Sequence, residues 1–168
     1  RVIHVSTDEV YGENLDKSFK EIQSLNPTNP YSASKAGADM MVNAYKKSYK
    51  MNIITVRANN IYGIRQYPEK LISKSIYNFI NNKKMTIHGI GDNFRFYLSV
   101  EDFCSGIIKI ILKGKSGHIY NIASEKKFKV IDVVKMIANY FNKNFIKNIK
   151  FVKDRPFTDK IYKINCNK

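Results

Sequence analysis

The 168-residue chain is 43% hydrophobic and carries 29 lysines and arginines against 14 acidic residues, a formal net charge of +15. That is enough apolar material for one sizeable soluble core; no run approaches the roughly 18 apolar residues of a membrane span, and the first residues lack the basic-then-apolar pattern of a secretory signal. The only two cysteines, Cys104 and Cys166, lie far apart without metal-ligand spacing, which excludes a disulfide framework, implies no metal and points to a reducing cytoplasm.

The positive charge is spread along the chain, and only five of the 29 basic residues are arginine. A nucleic-acid surface would cluster its cations with aromatics on one face, so the lysines read as solvated helix faces and no nucleic-acid partner is expected.

Val2 to Val5 is a β-branched run that predicts a short buried strand. The polar group Ser6-Thr7-Asp8-Glu9 follows at its carboxyl end, where an open parallel sheet normally faces its ligand crevice. Residues 13 to 30 lack periodicity and end in Asn-Pro-Thr-Asn-Pro, a loop leading to a helix start. Residues 31 to 49 then read as a helix, with Tyr31, Ala38, Met41, Val42 and Tyr45 near one stripe and Pro30 just before it. Residues 53 to 63 repeat the opening pattern, a β-branched run before a polar, Gly-ended loop, and predict the next parallel strand with the helix as crossover.

Farther on, the pattern predicts a helix near 71 to 82, a strand at 85 to 89, a loop at 91 to 96, a strand at 97 to 100 and a helix from about Glu101 to Leu112. A strand at 118 to 123, a helix from Val130 to Phe141 and a last strand at 149 to 152 follow. Such alternation predicts an α/β layer fold. All eight glycines lie at or after Gly12, and none forms the Gly-rich turn that receives a dinucleotide's pyrophosphate; Gly89-Ile90-Gly91 lacks the third glycine and opens no helix.

Two constellations carry chemistry. Tyr31 and Lys35, four residues apart on a helix, share a face, and a neighbouring ammonium favours phenolate over phenol. Spacing alone, however, better fits a surface lysine beside a half-buried tyrosine. Asp8 and Glu9 are adjacent carboxyl groups that could divide acid and base work if their environments differ, although spacing alone favours a turn or helix cap.

Taken together, STDEVYG at 6 to 12, PYSASK at 30 to 35 and ANNIYG at 58 to 63 resemble the extended short-chain dehydrogenase/reductase superfamily. With YPEKLI at 67 to 72, GDNFR at 91 to 95, YNI at 120 to 122 and DRPFTD at 154 to 159, the chain is similar to the nucleotide-sugar 4,6-dehydratases, whose best-known member acts on dTDP-glucose. The resemblance spans essentially the whole sequence. Family members carry their Gly-rich turn before the strand with which this chain opens, so the chain resembles an internal and C-terminal portion of such an enzyme.

The resemblance implies a partial Rossmann-like parallel sheet with a smaller C-terminal α/β substrate-binding region. Residues 1 to 65 would form the C-terminal half of an NAD-binding domain with the catalytic motifs. Residues 66 to 168 would mainly bind the nucleotide sugar, with Rossmann elements interleaved. The implied reaction converts dTDP- or UDP-glucose to the 4-keto-6-deoxy sugar nucleotide and water. Tyr31 would be the base at the C4 hydroxyl and Lys35 its partner, Thr7 a hydrogen-bond donor to the C4 oxygen, Asp8 the acid at the C6 hydroxyl and Glu9 the base at C5. Ser6, Tyr31 and Lys35 would hold NAD, and Asn60, Lys70, Leu71, Arg95, Asn121 and Arg155 the substrate.

A homodimer through two helices from each subunit, one of them the Tyr31 helix, is also implied, with no membrane partner. Arg95-Phe96-Tyr97 replaces the family's usual Arg-Asp-Trp, and Thr86-Ile87-His88 its Pro-x-Tyr, which leaves uridine and thymidine nucleotides both open. His88, on an apolar strand, reads as a structural histidine. The rival readings are a 4-epimerase, which typically lacks the carboxylate pair, or a decarboxylase of the same superfamily, and an inactive fragment that at most binds nucleotide sugars.

Overall fold

The computed structural model describes residues 1–15 and 17–168; Asp16, within the segment expected to be a loop, lies outside them. In chain order the elements are β1 (Val2–Thr7), a 3₁₀ turn (Asp8–Tyr11), α1 (Pro30–Tyr49), β2 (Ile53–Ala58), β3 (Asn60–Tyr62), α2 (Leu71–Ile80) and β4 (Met85–His88). There follow β5 (Phe94–Ser99), α3 (Val100–Lys113), β6 (Ile119–Ile122), β7 (Lys127–Lys129), α4 (Val130–Tyr140), a second 3₁₀ turn (Ile146–Asn148) and β8 (Ile149–Val152).

The two β-branched runs pair in parallel, Val2 opposite Ile53 through Thr7 opposite Ala58, with α1 as the crossover that parallel strands require. β6 joins the far edge of β2, giving the order β1-β2-β6. All six residues of β2 are buried, as a central parallel strand covered on both faces should be. Val2 and Val5 of β1, expected to be buried, are 48% and 43% exposed; among the described residues β1 pairs with β2.

Two further strands depart from the sequence reading. Asn60–Tyr62, expected as loop, is β3 and pairs in parallel with β5, and Lys127–Lys129 is β7, antiparallel to β5. β5 starts at Phe94, inside the expected loop, because Phe94 to Phe96 pair with Lys129 to Lys127. The Lys127 and Lys129 ammonium groups lie 4.8 and 5.7 Å from the Phe94 ring centroid, so the two lysines gain cation–π contacts across the strands.

α2 and α4 close a core of Phe79, Met85, Ile87, Val134, Ala138 and Ile149 against the parallel pair β4–β8. Beneath the first sheet, Ile54, Val56 and Ile110 pack with Phe103 and Ile107 of α3. α1 is fastened to the sheet by buried charge: Asp39 Oδ1 lies 2.8 Å from His4 Nε2, and Oδ2 accepts from Arg57 Nε at 2.9 Å. The Arg57 guanidinium in turn lies 4.7 Å from the Tyr11 ring centroid. Among the described residues no helix is long and apolar enough to cross a membrane.

Candidate active site

The site grows from the end of β1. Thr7 caps the 3₁₀ turn, its Oγ1 accepting from Glu9 N–H at 3.3 Å. Gly12 ends that turn at φ 82°, where a Cβ would lie 2.3 Å from the Asn26 carbonyl oxygen, so both conformation and space demand glycine. Asn26 N–H donates to the Val10 carbonyl at 3.0 Å, which brings the 26 to 30 loop against the turn. Asn29 then caps α1, its Oδ1 accepting from Ser32 N–H at 2.9 Å while Ser32 Oγ accepts from Asn29 N–H at 3.1 Å. With Pro30 beside it, this reciprocal cap fixes Tyr31 in the first helical turn.

The adjacent carboxyl groups therefore enter different surroundings. Asp8 is 3% exposed; its Oδ2 accepts from Asn59 Nδ2 at 2.7 Å, and its Oδ1 lies 3.1 Å from the Thr7 hydroxyl. Burial pushes the Asp8 carboxyl up to about 7, with the nearby Glu9 charge adding to the rise, while the Asn59 and Thr7 hydrogen bonds and the Arg95 charge oppose it. Glu9 is only partly buried, and its Oε2 lies 3.5 Å from Asn29 Nδ2.

Burial, followed by the charges of Glu9 and Asp8, raises the Tyr31 phenol above its ordinary value, opposed by a hydrogen bond with Thr7. Lys35, expected beside the phenol, donates its Nζ to the Val5 carbonyl at 3.0 Å. Two other tyrosines of the same wall stay firmly protonated. Burial pushes Tyr97 up to about 12, and burial together with the Asp159 hydrogen bond raises Tyr162.

A cavity of about 910 Å³ brings together Ser6, Thr7, Asp8, Glu9, Tyr31, Asn60, Lys70, Leu71, Arg95 and Arg155. Lys35 and Asn121 do not line it. Asn121 is instead a buried tie within β6: its Oδ1 accepts from Tyr11 O–H at 3.0 Å, and its Nδ2 donates to the carbonyls of Phe19 and Asn165 at 3.2 and 2.9 Å. Arg95 Nη1 donates to the Phe94 and Asp159 carbonyls at 2.7 and 3.0 Å, with the guanidinium 5.2 Å from the Tyr162 ring centroid. Lys70 and Glu69 form an exposed pair at 3.8 Å, too solvated to hold either side chain firmly. His88, expected to be structural, is exposed and stands on the cavity wall.

Sequence reasoning assigned no role to Asn59 or to Asp159. Asn59 is half of an Asn-Asn doublet, and spacing could not separate its contact with Asp8 from the position of Asn60. Asp159, 2% exposed, accepts from Thr28 Oγ1 at 2.9 and 2.8 Å on its two oxygens and from the Tyr162 hydroxyl. No local pattern could show that, since Thr28 and Asp159 are 131 residues apart. Among the described residues, Ser6 Oγ is buried without a partner on the cavity wall, a polar atom suited to a bound polar ligand.

These features define a Rossmann-like α/β chain with a tyrosine helix set beside a split carboxyl pair. The GDP-mannose 4,6-dehydratase family model matches residues 1–167, and the chain belongs to that family. It is 48% identical to the trifunctional UDP-glucose 4,6-dehydratase/UDP-4-keto-6-deoxy-D-glucose 3,5-epimerase/UDP-4-keto-L-rhamnose-reductase of Arabidopsis thaliana, over all of this chain and 26% of that protein. It is 41% identical to the dTDP-D-glucose 4,6-dehydratase of Dictyostelium discoideum, over all of this chain and 49% of that one. The crystal structure of a dTDP-glucose 4,6-dehydratase from Bacillus anthracis in complex with NAD superposes with a TM-score of 0.89 at 41% identity, covering 98% of this chain and 52% of the other. The chain thus spans about half, or less, of the length of these relatives.

Proposed function

We propose that this chain carries the catalytic residues and the substrate wall of an NAD-dependent 4,6-dehydratase acting on dTDP- or UDP-glucose. The observation that carries the reading is the buried Asp8 carboxyl, raised to about 7, beside the less buried Glu9 in the cavity that holds Tyr31. A carboxyl that burial favours in its acid form, beside a less buried one, suits the acid and base roles in elimination of water across C5 and C6. A 4-epimerase needs no such pair. The two relatives named for UDP-glucose and dTDP-glucose support both nucleotides.

Tyr31 takes the proton of the C4 hydroxyl, with Thr7 donating to the C4 oxygen. Glu9 then removes the C5 proton, acidified by the C4 ketone, and Asp8 protonates the C6 hydroxyl as water leaves. Ser6, with its unpartnered Oγ, fits a place beside NAD together with Tyr31 and Lys35. When bound, NAD supplies the hydride acceptor for C4, returns the hydride at C6 and brings a cationic ring that favours the Tyr31 phenolate. Lys70, Arg95 and Arg155 offer the diphosphate its cations, arginine's planar fork suiting phosphate oxygens. Asn60 and Leu71 complete the substrate wall, and Asn121 acts through the fold rather than by touching substrate.

Residues 1 to 65 serve as the catalytic half of the NAD-binding domain and residues 66 to 168 mainly as the nucleotide-sugar region. β6, returning to pair with β2, supports the interleaving. A homodimer is supported by the exposed Met40, Met41, Tyr45 and Tyr49 of α1, and a cytoplasmic setting by the free, exposed Cys104 and Cys166. The test is incubation of the full-length protein with NAD and each glucose nucleotide. The 4-keto-6-deoxy product, identified by NMR, is expected; conversion to the galactose nucleotide alone would overturn the reading.

A further inference from the structure

Asn59, directly after β2, is 4% exposed and stands on the cavity wall. Its Oδ1 accepts from the Ser124 backbone N–H at 3.2 Å, and its own backbone N–H donates to the Ile122 carbonyl at 3.3 Å. A carboxamide can in principle present either end to a neighbour. Here the Ser124 amide occupies the oxygen end, so Asn59 turns only its Nδ2 to Asp8 Oδ2, at 2.7 Å. The hold on Asp8 thus comes from the segment after β6 and not from the turn that carries Asp8. On the other side of the carboxyl, the Thr7 hydroxyl beside Oδ1 rotates and serves as donor or acceptor.

We propose that Asn59 is a positioning residue for water elimination: by donating to Oδ2 it confines the acidic proton of Asp8 to Oδ1, the oxygen beside Thr7. The inference rests on the dehydratase reading above. In the step itself the Oδ1–H bond breaks and that proton joins the C6 hydroxyl oxygen. The C6–O bond then breaks to release water, the C5 proton passes to Glu9, and the C5–H electron pair becomes the C5–C6 double bond. The new Asp8 carboxylate is met by a donor already in place, Asn59 Nδ2 at Oδ2. The charged and titratable groups that face Asp8 are Glu9 on its own turn, Arg95 from β5 and Tyr31 from α1. Burial and Glu9 favour the neutral acid, and the Asn59 bond is the largest influence favouring the anion.

The experiment uses the full-length protein with Asn59→Leu and Asn59→Ser; the serine keeps an acceptor near the Ser124 amide but does not reach Asp8. NMR titration of ¹³C-labelled aspartate carboxyls, with Asp8 assigned from Asp8→Asn, reads the carboxyl independently of turnover. Single-turnover kinetics with the glucose nucleotide reads C4 oxidation and elimination separately. In whichever variant folds, the Asp8 midpoint should rise by about one unit or more, and the ratio of elimination to C4 oxidation should fall about tenfold to a hundredfold. An unmoved midpoint overturns the proposal, as does a raised midpoint with an unchanged ratio, or an equal loss of both steps. Absence of product from the unsubstituted protein would overturn the functional reading and the elimination role with it, while the midpoint would still report whether Asn59 holds the carboxyl.

Discussion

Asp39→Ala should be among the most damaging single substitutions outside the cavity. The Asp39 and Arg57 side chains are each 4% exposed and meet at 2.9 Å, with His4 Nε2 at 2.8 Å on the second carboxylate oxygen. Arg57 Nη1 is already buried without a partner. Removing the carboxylate leaves the guanidinium only its place over Tyr11, a buried charge without a counter-charge. Breaking such a pair costs about 3–5 kcal/mol, against a total stability of about 5–15 kcal/mol for a typical domain. Arg57→Met should cost less, because His4 still faces Asp39 and can pair with it once protonated. Asp39→Leu with Arg57→Met should be less damaging than the sum of the two single changes, since an apolar replacement leaves no orphaned charge. Guanidinium unfolding of the full-length protein, at unchanged m value, reads all four numbers. A cost below about 1 kcal/mol for Asp39→Ala, typical of a solvated pair, would refute the reasoning, as would strict additivity in the double variant. Because α1 carries both Asp39 and Tyr31, the same change should also slow C4 oxidation.

Asp8 titrates higher folded, at about 7, than its ordinary 3.8, so between these values the folded chain keeps a proton the unfolded chain has lost. Stability should therefore fall as pH rises from about 4 to 7, and Asp8→Asn should flatten that slope in thermal unfolding scans across the window. Glu9→Gln removes a charge that raises the Tyr31 phenol, so the pH profile of C4 oxidation in single turnover should shift to lower pH even as elimination fails. Gly12→Ala forces an L residue to φ 82° with its Cβ 2.3 Å from a backbone oxygen; it should cost more than about 1 kcal/mol by denaturant unfolding and loosen the loop that leads to Asn29.

The parts legible in the sequence were those set by local period. The β-branched runs at Val2 and Ile53, with one amphipathic helix between them, leave few options besides a parallel pair, and Pro30 marks the helix start. The exposure of Val2 and Val5 was not legible, because a strand's place in the sheet depends on partners and not on its own residues. β3 and β7 were missed for a related reason: each is three residues long, and neither Asn-Ile-Tyr nor Lys-Phe-Lys pays for extended structure without β5 between them. The position of Asp8 and Glu9 at a strand end could be read directly. The behaviour of Lys35 could not, since four-residue spacing placed its ammonium beside Tyr31 and the Val5 carbonyl claimed it.

Two carboxyl groups on consecutive residues share almost every local influence, so the difference between them has to come from a distance. The 3₁₀ turn sends Asp8 inward to Asn59 and leaves Glu9 beside Asn29 at the head of α1. Asn59 is oriented from Ser124, beyond β6. Arg95, whose charge also reaches Asp8, is held by the Asp159 and Lys160 carbonyls. Asp159 in turn anchors Thr28, and Thr28 N–H donates to Ser32 Oγ at 3.2 Å within the cap that seats Tyr31. The tail thus acts on the acid through Arg95 and on the Tyr31 helix through Thr28. It follows that a substitution at Asp159, whose carboxylate holds Thr28 while its backbone carbonyl meets Arg95, should disturb the cap that seats Tyr31 first, whereas one at Asn59 should act on Asp8 first and reach Tyr31 only through the Asp8 charge; the chemistry of one dipeptide is set by contacts the fold brings from the far end of the chain.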